Sequence, residues 1–304
     1  METLDCGIFY EWEYDKDFVA ILSDNLKSQN ISHEIFHPGD FEIVLEKVRR
    51  KILSLETVID RASDVNESCE AIVSLLSRRE IYILNNPPAV RHASDKASMH
   101  LESMTAGINV PYTIIISPYS TQREIKLSID QLASLGRPFI IKPANTTGGG
   151  IGVVTGAEGL REIIDTRQHN KDDKYLLQQK IEPALLDGRR AWFRPFYVFG
   201  KIFICWWDDL THIYFETSPG DIDKHNLRKI EDVVKKIYAV CKLDFFSTEI
   251  AITSERKLVV IDYVNEMCDM RLKSKHYDGV PDNIVEQIAR QIASGTRASI
   301  ETSI

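Results

Sequence analysis

Along the first 88 residues, short apolar runs alternate with segments whose apolar side chains recur every three or four positions. Residues 7–10 have the continuous apolar character of a strand, residues 15–27 place Phe18, Ile21 and Leu22 on one helical face, and residues 31–36 return to an extended pattern. The alternation continues with a helix over 42–53, a strand over 57–60, a helix over 69–76 and a strand over 81–84. This βαβαβαβ order predicts a parallel sheet covered by helices on both faces, and such sheets collect ligands beyond the carboxyl ends of their strands. Gly7 has no companion glycines, so a dinucleotide fingerprint is missing.

Asn85, Asn86, Pro87 and Pro88 interrupt the pattern, because proline continues neither a helix nor a central strand, and a boundary is placed there. Beyond it the spacing predicts a helix over 93–105 with Asp95 and Lys96 near its start, extended structure over 113–116, and helices over 127–135 and 157–166. A polar turn over 170–174 and a strand over 175–178 complete an expected small α+β unit. From Arg190 the chain is strand-rich, and residues 191–199 and 202–207 predict an antiparallel pair turning at Gly200 and Lys201. Leu227, Ile230, Val234, Ile237 and Cys241 stand at helical spacing, residues 245–253 and 257–264 read as two strands, and 282–293 as an amphipathic helix. Residues 294–304 are small and polar and predict a poorly ordered tail. Three units are expected, over residues 1–88, 89–177 and 178–304.

Composition narrows the class. The 304 residues are 43% apolar and 27% charged, as in an ordinary globular chain. With 37 basic and 45 acidic side chains the net charge is −8, which argues against a broad grip on nucleic acid phosphates. No stretch reaches the roughly 18 consecutive apolar residues of a membrane span, and the first residues lack a basic start followed by an apolar signal core. A cytoplasmic protein without membrane or nucleic acid partners is expected, and association with a second copy is left open. Cys6, Cys69, Cys205, Cys241 and Cys268 form no CxxC pair and are odd in number, so reduced, mostly buried thiols are expected rather than a disulfide framework or a zinc site.

The candidate chemistry begins at residues 138–154, where Phe139, Ile140 and Ile141 suit a strand that delivers Lys142. Thr147, Gly148, Gly149, Gly150 and Gly152 follow, and Val153 and Val154 restart extended structure. Glycines let backbone N–H groups approach an anion, so the segment reads as a phosphate-covering flap between two strands. A Walker-type loop is a poor match, because there the lysine follows the glycines and a helix starts at once; a glycine hairpin with a solvated lysine is the competing reading. Lys96 offers a second cation near a helix start. At Gln178, Gln179, Lys180, Ile181 and Glu182 a strand turns polar. Its backbone could meet a flat base and Glu182 a ribose hydroxyl, unless it is a surface exit strand. Glu249 on one predicted strand, and Asp262, Asn265 and Glu266 on or after the next, could converge hard oxygen ligands as magnesium requires, or form a solvated strand end.

In their order, Asn86-Pro87-Pro88, Asp95-Lys96, Gly107 with Pro111 and Thr113, the Lys142 strand, the glycine segment, Gln178 with Ile181, Arg194 and the Glu249, Asp262, Asn265 set resemble the ATP-grasp superfamily. The pattern is most similar to the branch of glutathione synthetases and ribosomal-protein glutamate ligases, and runs over roughly residues 80–270. The resemblance implies an α/β ATP-grasp fold with an N-terminal parallel-sheet domain preceding a small α+β lobe and a C-terminal mixed-sheet lobe. It implies that Lys96 and Lys142 contact ATP, that the glycine flap covers its phosphates, and that Gln178, Gln179, Lys180 and Ile181 border adenine, with Glu182 toward ribose. Arg194 would face transferred phosphate or substrate, and Glu249, Asp262 and Asn265 would hold one or two magnesium ions, or manganese in their place. The implied reaction makes an acyl phosphate from ATP and a small-molecule or peptide carboxylate, which an amine then converts to an amide.

Two departures stand out. Asp262 and Asn265 are three apart where the family spaces them by two, which requires a bulge or promotes Glu266 to ligand. Where relatives have a glycine-containing turn, residues 267–276 form a basic loop in which Arg271 is a candidate to grip a substrate carboxylate or phosphate, a solvated turn being the alternative. A small-molecule kinase on the same fold and a non-catalytic nucleotide binder are the competing functional readings. Of Trp206 and Trp207, strand alternation predicts one core and one half-exposed indole; His100 and His212 lack spaced metal partners, and Cys268 has no local base.

Overall fold

The computed structural model describes residues 2–145 and 151–303, so Thr147, Gly148, Gly149 and Gly150 of the expected flap lie outside the described residues. The chain opens with β1 (Glu2–Tyr10), α1 (Lys16–Ser28), β2 (His33–Phe36), α2 (Phe41–Arg49), β3 (Leu53–Arg61), α3 (Glu67–Ser77) and β4 (Tyr82–Leu84). The four strands form a parallel sheet in the order β2-β1-β3-β4. The helix expected over 42–53 stops at Arg49: Lys51 adopts a left-handed φ of 58°, and Leu53 and Leu55, buried in alternation with Ser54 and Glu56, already belong to β3. A period of two overrides the helical spacing there.

The helix expected over 93–105 is two helices, α4 (Pro87–Ser94) and α5 (Lys96–Thr105). Pro87 and Pro88 occupy the first turn of α4, where a missing N–H costs nothing, and the Asp95 carboxylate caps α5 by accepting from Ala97 N and Ser98 N. Next come β5 (Thr113–Ile116), α6 (Ile129–Leu135), β6 (Phe139–Pro143), β7 (Val154–Ala157), α7 (Leu160–Arg167) and β8 (Tyr175–Gln179). Their strands make a small antiparallel sheet in the order β5-β8-β6-β7 over a core that includes Leu135, Phe139, Ile141 and Leu177.

A short hairpin, β9 (Leu185–Leu186) and β10 (Arg189–Arg190), leads into the large sheet. The antiparallel pair expected over 191–207 is present but broken into β11 (Trp192–Phe193), β12 (Phe196–Val198), β13 (Lys201–Phe203) and β14 (Cys205–Trp207). Pro195 has no N–H for the ladder, and Phe199 and Gly200, at φ 44° and 83°, make the two-residue turn between Val198 and Lys201. Then follow β15 (Tyr214–Glu216), α8 (Pro219–His225), α9 (Arg228–Cys241), β16 (Phe245–Ile252), β17 (Leu258–Asn265) and α10 (Asp282–Ser303). The order is β13-β12-β16-β11-β14-β15, with β17 on the other side of β16. Trp206 and Trp207 are both buried, contrary to the expectation of one half-exposed indole. Strand β14 is interior to the sheet and apolar side chains cover both its faces.

The expected poorly ordered tail is instead the continuation of α10. Ile300 is buried, Arg297 Nη2 donates to Gln29 O, and Gln29 Nε2 donates to Ser294 Oγ at 3.2 Å. One apolar cluster fuses the parallel sheet to the large one, uniting Ile8, Phe18 and Leu22 with Phe196, Tyr214 and Ile288. At this seam the buried Arg61 guanidinium grips both oxygens of buried Asp15 at 2.8 and 2.7 Å and donates to Cys268 O at 2.9 Å. All five cysteines are free and buried, and no described helix is long and apolar enough to cross a membrane.

Candidate functional site

The irregularity of β17 organises the site. Ser247 pairs with Asn265 and Glu249 with Asp262, so two steps along β16 oppose three along β17; between Glu249 and Ile250 a second register shift sets one step against two. Such bulges re-aim side chains, and here they bring Asp262 and Asn265 opposite residues two apart on β16 despite their odd spacing. Asp262 Oδ1 and Asn265 Nδ2 are buried without a hydrogen-bond partner among the described residues. Burial raises the Glu249 carboxyl above its usual range; the Arg194 cation works against this and the Asp262 carboxylate adds to it. Glu266 takes a different direction. Its Oε1 accepts from Asn85 Nδ2 at 3.3 Å at the end of the parallel sheet, and burial, helped by Asp60, pushes its carboxyl up to about 7.

Lys142 reaches this group from the small sheet. Its ammonium donates to Ile261 O at 2.9 Å, one residue before Asp262; burial lowers its pKa, while Asp262 and Glu249 restrain the drop and Lys96 adds to it. Lys96 starts α5, where its backbone N–H donates to Ala144 O at 3.0 Å and so fixes the helix start against the end of β6. Arg194 approaches from the broken hairpin, with Nε 3.3 Å from Ser247 Oγ, Nη1 3.4 Å from Glu249 Oε1 and the guanidinium 5.3 Å above the Trp207 ring.

Gln178 is turned into the interior. Its amide donates at 3.4 Å to both Thr113 Oγ1 and the Tyr263 hydroxyl, which shares a 2.6 Å hydrogen bond with His100 Nδ1. Gln179, the last residue of β8, donates its N–H to Tyr112 O at 2.8 Å; beyond it Ile181 packs against the seam cluster, and Lys180 and Glu182 pair at 3.3 Å on the surface. Glu182 also faces Arg190 at 3.6 Å. Gly152, at φ 75°, holds a left-handed conformation beside Pro143. Arg271 is engaged within its own loop, donating to Asp269 and Asp278 at 2.7 and 2.9 Å and covering the Trp12 ring at 5.7 Å.

Ser247, Ile261, Trp207 and Tyr214 join the site without having been singled out as site residues. The first two contribute a hydroxyl and a carbonyl fixed by strand register, and the aromatic pair lies opposite each other across β14 and β15. Only the paired indoles offered a sequence signal, and alternation gave it the wrong exposure.

No family model matches the chain, and neither does any curated protein. Solved structures do match. The D-alanine–D-alanine ligase of Bacillus anthracis complexed with ATP is 14% identical with a TM-score of 0.65, covering 99% of this chain and 100% of that one. A RimK domain ATP-grasp protein from Sphaerobacter thermophilus is 16% identical with a TM-score of 0.62, covering 95% and 98%. The macrocyclase MdnC of Microcystis aeruginosa bound with its precursor peptide MdnA is 12% identical with a TM-score of 0.63, covering 95% and 99%.

Proposed function

With the ATP-grasp fold as premise, we propose that this chain is an ATP- and magnesium-dependent ligase that joins a carboxylate to an amine. One observation carries the reading: Glu249 and Asp262 pair across bulged strands, Asn265 follows on the same strand opposite Ser247, and Lys142 crosses from the other sheet to the adjoining carbonyl of Ile261. Likeness to a structure complexed with ATP, and to one complexed with a minimal precursor, Mg and ADP, supports a nucleotide and a metal here.

Magnesium fits the residues present, since Asp262 Oδ1 is a buried hard donor without a partner among the described residues and Glu249 is an acidic neighbour whose charge burial disfavours. Glu249, Asp262 and the Asn265 amide oxygen would hold it, and when bound it supplies neutralisation of phosphate charge. Lys142 and Lys96 are assigned to the phosphates and the backbone of Gln179 to Ile181 to the base, with Gln178 supporting that segment from beneath. A substrate carboxylate oxygen attacks the γ-phosphorus and ADP departs. The amine nitrogen then attacks the acyl carbon, loses a proton and expels phosphate. Arg194 stabilises the negative charge that develops in both steps. The substrates are small molecules or peptides, the latter in line with the peptide-bound macrocyclase.

The test is a screen of paired carboxylic acids and amines, including amino acids and short peptides, with ATP and magnesium and with phosphate release as readout. Phosphate formed only when acid and amine are both present, with an amide in the products, supports the assignment; a phosphorylated substrate without amide overturns it.

A further inference from the structure

Tyr214 lies on β15 at the edge of the large sheet, directly opposite Trp207, and on the same face as Arg194. Its ring is 6.4 Å from Trp207, and its hydroxyl feels the charges of Arg194, Asp269 and Glu249. Tyr214 is only 6% exposed as a residue, yet its hydroxyl makes no hydrogen bond among the described residues and is not one of their fully enclosed unpaired polar atoms, so the phenol keeps an open end. A phenol whose ring is packed in the core while its hydroxyl stays open can offer that hydroxyl to a ligand. Beside it, Arg194 is held as a plane. Trp207 lies beneath the guanidinium at 5.3 Å and is itself stacked on His212 at 5.1 Å with 9° between the rings, while Ser247 and Glu249 engage Nε and Nη1. Nη2 has no hydrogen-bond partner among the described residues. One open guanidinium edge and one open hydroxyl therefore share a face of the sheet next to the acidic group, a combination suited to the two oxygens of a carboxylate.

We propose that Tyr214 is a substrate-contacting residue which, together with Arg194, binds the carboxylate that is to be activated, and that Trp207 is the positioning residue that fixes the guanidinium plane. The assignment rests on the ligase reading given above. It places the acid substrate between β15 and the acidic group of β16 and β17. The phenol stays a donor throughout neutral pH, since burial raises its pKa.

The experiment compares wild type with Tyr214→Phe, Tyr214→His and Trp207→Phe or Trp207→Leu, using a productive acid and amine pair. Loss of one hydrogen bond to a charged group predicts that Tyr214→Phe raises KM for the acid about 10- to 100-fold. Magnesium-ATP affinity, measured by calorimetry, stays within about twofold because the substitution leaves the nucleotide contacts intact. Tyr214→His restores a ring donor and recovers part of the loss, which also separates a binding defect from a folding one. Trp207→Leu lowers kcat with little change in KM for ATP, and Trp207→Phe, which keeps an aromatic face, restores most of it. Wild-type turnover with an unchanged acid KM in Tyr214→Phe overturns this inference alone. Absence of wild-type turnover with every pair, despite magnesium-ATP binding, overturns the ligase reading and this inference with it.

Discussion

The Arg61 and Asp15 pair ties the parallel sheet to the segment that follows β17, and its removal should be read most clearly one partner at a time. Asp15 is 1% exposed and Arg61 4%, so Arg61→Met strands a carboxylate with almost no solvent. Breaking a buried pair in this way costs about 3–5 kcal/mol, and the lost donation to Cys268 O and the Arg61 contact with Phe18 at 5.0 Å place the variant toward the upper end. That is a large share of the roughly 5–15 kcal/mol that holds an ordinary domain folded. Replacing both groups, as Asp15→Leu with Arg61→Met, removes the two desolvation penalties together and leaves chiefly the Cys268 carbonyl unsatisfied, so the double variant should lie within about 2 kcal/mol of wild type. Urea unfolding of the four proteins closes the cycle, and with each single variant costing about 3–5 kcal/mol the expected coupling is at least about 4 kcal/mol. A cost below about 1 kcal/mol for Arg61→Met, or a double variant as weak as the sum of the singles, would show that the seam does not depend on this pair.

Four further outcomes are expected. Lys142→Ala should weaken ATP binding about 10- to 100-fold in calorimetry, since a buried charge-assisted contact is removed; unchanged affinity would displace Lys142 from the nucleotide. Asp262→Asn should cut magnesium-dependent turnover at least about 100-fold with the melting curve preserved, and normal turnover would remove Asp262 from the metal group. Gly295→Ala gains about 1 kcal/mol of helix propensity, but its Cβ would clash with the Phe199 ring, where overpacking costs about 1–3 kcal/mol. Net destabilisation is expected in urea, and a stabilised variant would contradict the packing. Burial, assisted by Lys142, holds the His100 imidazole below its ordinary value of 6.5. As pH falls below 6.5 the unfolded chain therefore binds a proton that the folded one refuses, stability declines toward the folded pKa, and His100→Gln should flatten that limb of a stability-versus-pH curve.

Periodicity made the alternating strands and helices of the first unit legible, because a parallel sheet buried on both faces leaves long apolar runs flanked by amphipathic helices. It failed where local chemistry competed with it. Lys51 entering the left-handed region ended α2 early, and Asp95 divided one apparent helix into two by capping the second. The end of α10 was hidden because Gly295, Thr296, Ala298 and Ser299 carry little hydrophobic signal; Ile300 and the Arg297 contact with Gln29 are tertiary in origin. In the site, residue types identified Lys142, Glu249 and Asp262, whereas the inward turn of Gln178 depended on Thr113 and Tyr263, partners 65 and 85 positions away.

Those distant partners also explain how two sheets hold one site at a fixed spacing. Lys142 on β6 and Gln178 on β8 are both on the small sheet, and both reach β17, at the carbonyl of Ile261 and the hydroxyl of Tyr263. Neighbouring positions of one strand thus receive contacts from two strands of the other sheet, with His100 of α5 anchoring the far side of Tyr263. A single contact would leave a rotation free, but two attachments along β17 and a third element behind them restrict both the separation and the tilt of the sheets. The second register shift of β17 falls within the same stretch, between the residues facing Glu249 and Ile250. The irregularity that gathers the acidic side chains therefore coincides with the stretch the small sheet grips. Moving Lys142 relative to Asp262 requires disturbing the strand that carries Asp262, and this shared support gives the proposed phosphate and metal contacts a common frame.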